Sequence, residues 1–230
     1  MDDKLNSMNG FLLVDKPGGF TSHDVVAVAR RMLKIKKIGH AGTLDPMATG
    51  LLILGVGSAT KKLGNIIGLP KTYTAEITLS ATSTTDDREG VINELQMMND
   101  ELRIPTNEEI TMTIKKFIGE QQQVPPQFSA IKINGQCAYK KARQGETVEL
   151  KPRTITIYDI KLISYEYPLI NIETGVSSGT YIRSLARDIG QTLKTGAYLS
   201  KLERTSIGEF KLNDAVILEE INESRLFQIK

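Results

Sequence analysis

One cysteine, Cys137, and two histidines, His23 and His40, are all the soft or imidazole donors in 230 residues. A single thiol excludes an internal disulfide and fits a reducing compartment. With so few donors, a Cys/His zinc cluster is excluded as well. No stretch approaches the ~18 consecutive apolar residues of a membrane span. The opening MDDKLNSMNG is polar and acidic, unlike a secretory leader. These absences point to the cytoplasm, with no membrane partner. Phosphate-loop spacing (G-x-x-x-x-G-K-[ST]) is missing. GVGSAT after an apolar run starts like a dinucleotide fingerprint but lacks its third glycine. GTYIRS and TSH do not make a serine-hydrolase elbow. Internal repeats, low-complexity tracts and clear linkers are also lacking.

What is present is an ordinary globular composition, 40% apolar and 24% charged, long enough for one large domain or two small ones. The net charge of +2 does not announce a nucleic-acid binder, but its distribution is uneven. Residues 84–109 hold eight acids and two bases, a local −6 that leaves +8 on the rest. Basic groups cluster at Arg30, Arg31, Lys34, Lys36 and Lys37, and again at Lys132, Lys140, Lys141, Arg143, Lys151 and Arg153. The pattern predicts an acidic flank and a basic working face.

Residues 11–14 (FLLV) predict a buried strand closed by DKPGG. TSHDVVAVARRMLK predicts a helix with apolar groups at Val25, Val28, Ala29, Met32 and Leu33, capped by Thr21 or Ser22 with Asp24 in its first turn. Gly39 is expected to end the basic stretch and open a loop. LLILGV predicts a second buried strand and SATKKLGNIIG a capped short helix. YTAEITL alternates as a half-buried strand does. Thr106 and Glu109 predict a capping box for a helix to Ile118, with Gly119 as stop. FSAIKING reads as a strand entering an Asn-Gly turn, and AYKKARQG as a short basic helix. Further strands follow across 147–176, then a helix in SSGTYIRSLARDIGQTL. YLSKLERTSIGEF is extended, and residues 214–226 suggest a last small helix. Strands and long helices do not alternate, so the fold class is α+β, a mixed, mostly antiparallel sheet with helices packed on it.

Asp45 stands alone as a carboxylate in GHAGTLDPMATGLLILGVGSATK. An Asp-Pro step by itself is a turn starter. Here Gly39, Gly42 and Gly50 allow close backbone approach to a ligand, and His40 offers a flat ring beside it. A carboxylate in such a loop can serve as nucleophile or general base.

The blocks GFLLVDKPGGFTSHDVV, GHAGTLDPMATGLL, KTYTAEI, VPPQFSAIKINGQCAYKKARQG and SSGTYIRSLARDIG, in this order from about residue 10 to 212, closely resemble the TruB family of tRNA pseudouridine synthases, which act on the T-loop uridine at position 55. The resemblance implies a pseudouridine synthase fold, catalysis without metal or organic cofactor, and tRNA (its T-arm) as partner of a monomer. It implies that Asp45 is the catalytic aspartate, that Tyr73 stacks on the uracil and assists proton removal from C5, and that Arg183 pairs with Asp45. Tyr181 and Leu202 match positions lining the uridine pocket, and His40 one that packs against flipped-out RNA. Lys16 matches a lysine supporting the nearby backbone and active site, grouped here with the substrate-binding residues. Asp87 matches an acid that holds the arginine. Taken singly, Tyr73 reads as packing, Arg183 as a solvated side chain in a first helical turn, His40 as a loop hydrogen-bonder and Lys16 as a turn residue.

The chemistry suits these residue types. A base must leave its stack, at a cost of a few kcal/mol, and enter an apolar or aromatic pocket. Burial raises a carboxylate's pKa and a guanidinium offsets that. Attack on uracil C6 and attack on ribose C1′ both fit. Four features depart from the family pattern: Val176 and Ser178 replace Cys and Lys, Glu203 stands where arginine is usual, and Thr84 where aspartate is common. The catalytic domain is expected at 1–215 and a short helical tail at 216–230, with no further RNA-binding domain of the PUA type. The competing expectations are a catalytically silent tRNA-folding module and a guide-RNA-dependent relative acting on ribosomal RNA.

Overall fold

Strands β1 (Gly10–Lys16) and β3 (Thr49–Val56) are apolar almost throughout because both of their faces are covered. They pair antiparallel, with Leu12 opposite Leu54 and Leu13 opposite Ile53. Leu12, Val14, Leu52, Leu54 and Val56 face one way, into a cluster with Val25, Val26, Ala29 and Leu33 of helix α1 (Ser22–Leu33). Phe11, Leu13, Leu51 and Ile53 face the other way, against Leu63 and Ile66 of helix α2 (Leu63–Ile67). The period of two thus sorts one run of apolar residues into two cores. The computed structural model describes residues 8–95, 104–129, 131–133, 136–138 and 149–229. It divides into two units, residues 1–74 with 202–230, and residues 75–201.

In the first unit, Thr21 caps α1 and closes a capping box with Asp24, and Lys34 ends it in the left-handed region. Ser22, the other candidate cap, is buried. Val26 rather than Met32 joins the inward stripe, and Met32 stays exposed. Strand β2 (Ile38–Ala41) pairs with β3, so Gly39 and His40 lie in a strand and the loop opens only at Gly42. The stretch 57–67 is a 3-10 turn running into α2 and has no side-chain cap. Strand β4 (Lys71–Leu79) begins in this unit, and β12 (Ala197–Ile207) ends in it. The strand order is β1-β3-β12-β4, and β12 runs parallel to β3. Strand β13 (Phe210–Lys211) pairs with β12.

Among its described residues the tail contains no α-helix. Residues 218–220 and 223–225 are single 3-10 turns, and the backbone before and after them bridges β1. Val216 accepts from Asp15 and donates to Leu13, and Phe227 exchanges two hydrogen bonds with Phe11. Val216, Leu218 and Ile221 fill the α1-side core, so apolar spacing that imitates a helix serves tertiary packing instead.

In the second unit, β5 (Ala81–Ser83) pairs with β6 (Ile92–Glu94). Helix α3 (Asn107–Lys115) has the expected Thr106–Glu109 capping box. Gly119 is not a stop. It opens β7 (Gly119–Gln123), which pairs with β10 (Arg153–Glu166). Strand β10 also pairs antiparallel with β11 (Leu169–Val176), and the order is β12-β4-β11-β10-β7. Short strands β8 (Lys132–Ile133) and β9 (Gln136–Cys137) flank the Asn-Gly step, which lies outside the described residues, as does most of the expected basic helix. Helix α4 (Ile182–Thr192) buries Ile182, Leu185, Ala186 and Ile189. Its Gly190 admits close backbone packing, since a Cβ there would meet the Ala197 nitrogen at 2.4 Å. The sheet is mixed and mostly antiparallel, as the α+β reading expects. Among the described residues no helix is long and apolar enough to cross a membrane.

Candidate active site

The residues expected to form the site fall in two groups, Asp45, Tyr73, His40, Lys16 and Leu202 in the first unit, and Arg183, Tyr181 and Asp87 in the second.

Asp45 is half-buried on the loop between β2 and β3. Three elements and the turn at Gly19 hold that loop. The Ser22 hydroxyl at the start of α1 accepts from the Leu44 amide at 2.9 Å and donates back to its carbonyl at 3.3 Å. The Gly19 amide donates to the Pro46 carbonyl at 2.8 Å. Lys16, fully buried at the end of β1, donates from Nζ to Pro46 (3.2 Å), Pro17 (2.9 Å) and Phe20 (2.6 Å) carbonyls. Arg204 on β12 donates from Nη2 to the Gly42 carbonyl at 3.1 Å and from Nε to the Leu51 carbonyl at 2.8 Å. The loop closes on itself through Ala48 N–H to the Asp45 carbonyl, while Leu44 and Met47 are sunk into the core on either side. A short carboxylate flanked by buried neighbours has little freedom, which is what an attacking group needs. Lys16 reaches this loop from a buried position, with backbone carbonyls around its ammonium. It therefore supports the loop.

Gly50 makes the parallel contact with Arg204 possible. Its φ is +96°, and a Cβ there would lie 2.5 Å from the Arg204 carbonyl oxygen. Ser22 and Arg204 escaped the sequence reading. A serine beside a cap and a cation in a strand look like surface residues until their distant partners are known.

Tyr73 sits on the inward face of β4 with Lys71 and Ala75, and is buried. The start of β4 is tied to the end of β12, where Thr205 Oγ1 donates to the Thr72 carbonyl and Ser206 Oγ meets Thr72 Oγ1 at 2.8 Å. Lys71 donates to the carbonyls of Ile67 and Leu69, and burial and then the Arg204 charge push its pKa down to about 8. Leu202 is buried in β12 and its carbonyl accepts from Thr49 Oγ1. His40 lies in β2 with its Nδ1 buried and without a hydrogen bond. Its ring meets that of His23 edge to face, centroids 5.2 Å apart at 82°. Burial first, then His23 and Arg204, push its pKa down, so His40 is neutral at pH 7.

In the second unit Arg183 is buried in the first turn of α4, not solvated as its position alone implies. Its Nη1 donates to the Thr85 carbonyl at 3.2 Å and lies 3.4 Å from Asp87 Oδ2, and Nη2 donates to the Phe128 carbonyl at 3.0 Å. Asp87 is buried too, and its Oδ1 accepts from Thr85 Oγ1 and the Glu89 amide. The structure thus joins Asp87 to Arg183, as the resemblance implies. Next to them Arg187 pairs with Asp86 at 2.8 Å and Asp188 at 3.0 Å. Burial raises the pKa of both carboxyls, and Arg187 works against it. Tyr181 precedes α4, and Gln123 holds its backbone at both ends, by Oε1 from the amide (2.9 Å) and Nε2 to the carbonyl (3.0 Å). Gln123 was not legible in the sequence. Among the described residues no group of His, Cys, Asp and Glu could hold a metal ion.

Residues 30–182 match the family described as TruB family pseudouridylate synthase (N terminal domain), and residues 183–229 match tRNA pseudouridylate synthase B C-terminal domain. The chain is 48% identical over 228 residues to tRNA pseudouridine synthase B of Corynebacterium diphtheriae, covering 97% of this chain and 75% of that protein. Among solved structures, a Cbf5-Nop10-Gar1 complex is similar at 29% identity and a TM-score of 0.71, and an H/ACA RNP bound to a substrate RNA containing 2′-deoxyuridine at 28% and 0.70. These similarities cover 95% and 96% of this chain but only 54% of each of those chains. Two family segments laid end to end, and nearly half of all residues shared with a synthase across almost the whole length, place the chain in one group: it belongs to the TruB family of pseudouridylate synthases.

Proposed function

We propose that the protein converts uridine 55 in the T-loop of tRNA to pseudouridine, with Asp45 as nucleophile on a flipped-out uridine. The observation that carries this is the Asp45 loop. Its backbone is fixed at Gly42, Leu44 and Pro46 by side chains from three other elements. Isomerisation breaks the N1–C1′ bond and forms C5–C1′. N1 gains a proton, and the C5 hydrogen leaves to solvent. Asp45 attacks the bound nucleoside and holds one fragment while the base turns. The family resemblance gives Arg183, itself held by Asp87, the role of keeping the Asp45 carboxylate ionised. Tyr73, Tyr181 and Leu202 receive the base, and Tyr73 assists loss of the C5 proton. His40, neutral at pH 7, packs against the displaced RNA without adding charge. The enzyme works as a monomer in the cytoplasm, and the lone cysteine suits that compartment. The higher identity to the tRNA enzyme, 48% against 28–29% for the H/ACA proteins, supports tRNA over a guided ribosomal substrate.

The test is tritium release from tRNA labelled at uracil C5. One equivalent is expected per tRNA, and none when position 55 is cytidine. Release that survives the cytidine substitution would move the target elsewhere.

Charge supports RNA as the partner. Between Asp24 and Glu76 the chain carries eight cations and one carboxylate, Asp45. Arg30, Arg31, Lys34, Lys36 and Lys37 are exposed. We expect tRNA affinity to fall linearly in log–log form with salt, by about 0.7–0.9 per phosphate contact. Reversing Lys36 and Lys37 to glutamate should flatten the slope by about 2. A salt-independent wild-type affinity would rule out this face.

A further inference from the structure

We propose that Arg204 is a positioning residue for the isomerisation: its guanidinium clamps both sides of the loop that carries Asp45. The inference rests on the reading of Asp45 as nucleophile.

Arg204 is the largest of the fully buried side chains, 1% exposed. One planar fork serves two carbonyls, Gly42 where the loop leaves β2 and Leu51 just after it enters β3. Asp45 lies between them. The backbone of Arg204 pairs in parallel with Gly50, so strand and side chain grip the same segment. Burying a guanidinium is costly, and an apolar side chain of similar volume often packs with equal or better stability. What the guanidinium adds is geometry, because its donors have fixed angles and reach two acceptors at once. A lysine at this site could satisfy one carbonyl at a time. An RNA-binding role does not fit, since the charged end points inward and solvent does not reach it. Its charge is felt inside the unit instead, where it disfavours protonation of His40 and Lys71. Ser22 is an independent tie on the same loop, holding Leu44 from the other side.

The test compares Arg204→Met, Arg204→Lys and Ser22→Ala in the full chain, with Asp45→Asn alongside. Each is assayed for single-turnover release of tritium from C5-labelled tRNA and, separately, for tRNA affinity by filter binding. Arg204→Met is expected to slow the single-turnover rate about 100-fold, the scale of a small misplacement of a reacting group. Affinity should stay within about twofold, because loss of a buried tie leaves the phosphate contacts intact. Arg204→Lys should recover about tenfold of the loss, and Ser22→Ala should slow the step about 3–10-fold. If Arg204→Met does not accumulate as folded protein, Arg204→Lys and Ser22→Ala decide the matter. A purely structural role predicts fewer folded molecules with an unchanged rate per folded molecule, which would overturn the proposal. So would weakened tRNA binding at an unchanged rate. Turnover by Asp45→Asn overturns the nucleophile reading, and the clamp with it. An inactive Asp45→Asn beside wild-type rates for the other variants overturns the clamp alone.

Discussion

Asp45→Asn is expected to abolish turnover while tRNA remains bound. Asparagine keeps the size and one acceptor oxygen of aspartate but has no anionic nucleophile. Under the proposed mechanism no other group on the loop replaces it, so the single-turnover rate should fall by about 10⁴-fold or more, the scale on which losing a nucleophile acts. The loop is held through Gly42, Leu44 and Pro46, none of which the substitution touches. The backbone ties of the loop should therefore survive and the variant should still fold. Rate, tRNA affinity and melting temperature measured on one preparation separate these effects. A variant keeping a hundredth of the wild-type rate would exclude Asp45 as nucleophile. A wild type that binds and never turns over would favour the tRNA-folding module.

The second large effect concerns Asp87 and Arg183. Both are buried, so removing one partner leaves a charge in a dry place. Arg183→Met should cost about 3–5 kcal/mol. In a chain of this size that corresponds to about 6–20 °C in melting temperature. Turnover should vanish as well, since Asp45 loses its proposed cation. Adding Asp87→Asn to Arg183→Met separates the two losses. An asparagine oxygen can still accept from Thr85 Oγ1 and the Glu89 amide, the two partners of Oδ1. A neutral pair in place of a buried ionic one is often close to neutral in stability. The double variant should thus recover most of the melting temperature and none of the activity. Recovery of both would make the pair structural only. Recovery of neither would mean that Arg183 is held mainly by its bonds to Thr85 and Phe128.

How much could be read from the sequence follows the range of the forces involved. The Thr21–Asp24 and Thr106–Glu109 boxes were legible because each partner lies three residues away. The alternation along β4 was legible because one face is buried and the other half-exposed. β2 was not, since a four-residue strand containing Gly39 and His40 exists only through its pairing with β3. Arg183 looked like a solvated side chain because its partners Thr85, Asp87 and Phe128 lie between 55 and 98 residues away in sequence. Arg204 was missed for the same reason, its acceptors being 153 and 162 residues distant. The order of the family blocks marked the site and implied that Lys16 supports the backbone near it, and the fold identifies the Pro46 carbonyl as the point it holds.

The tail that bridges β1 bears on the order of events during synthesis. Phe11 and Phe227 are hydrogen-bonded neighbours, yet Phe227 is made only after the whole of the second unit. The unit to which both belong is drawn from residues 1–74 and 202–230, whereas residues 75–201 are contiguous. A contiguous segment can collapse as it emerges, since its contacts close shorter loops. The unit carrying Asp45 must keep β1, with its exposed apolar edge, waiting until the last strand and tail arrive. During that interval the open edge of β1 is a template for mispairing. The enzyme's most aggregation-prone interval therefore lies between the emergence of β1 and that of residues 202–230.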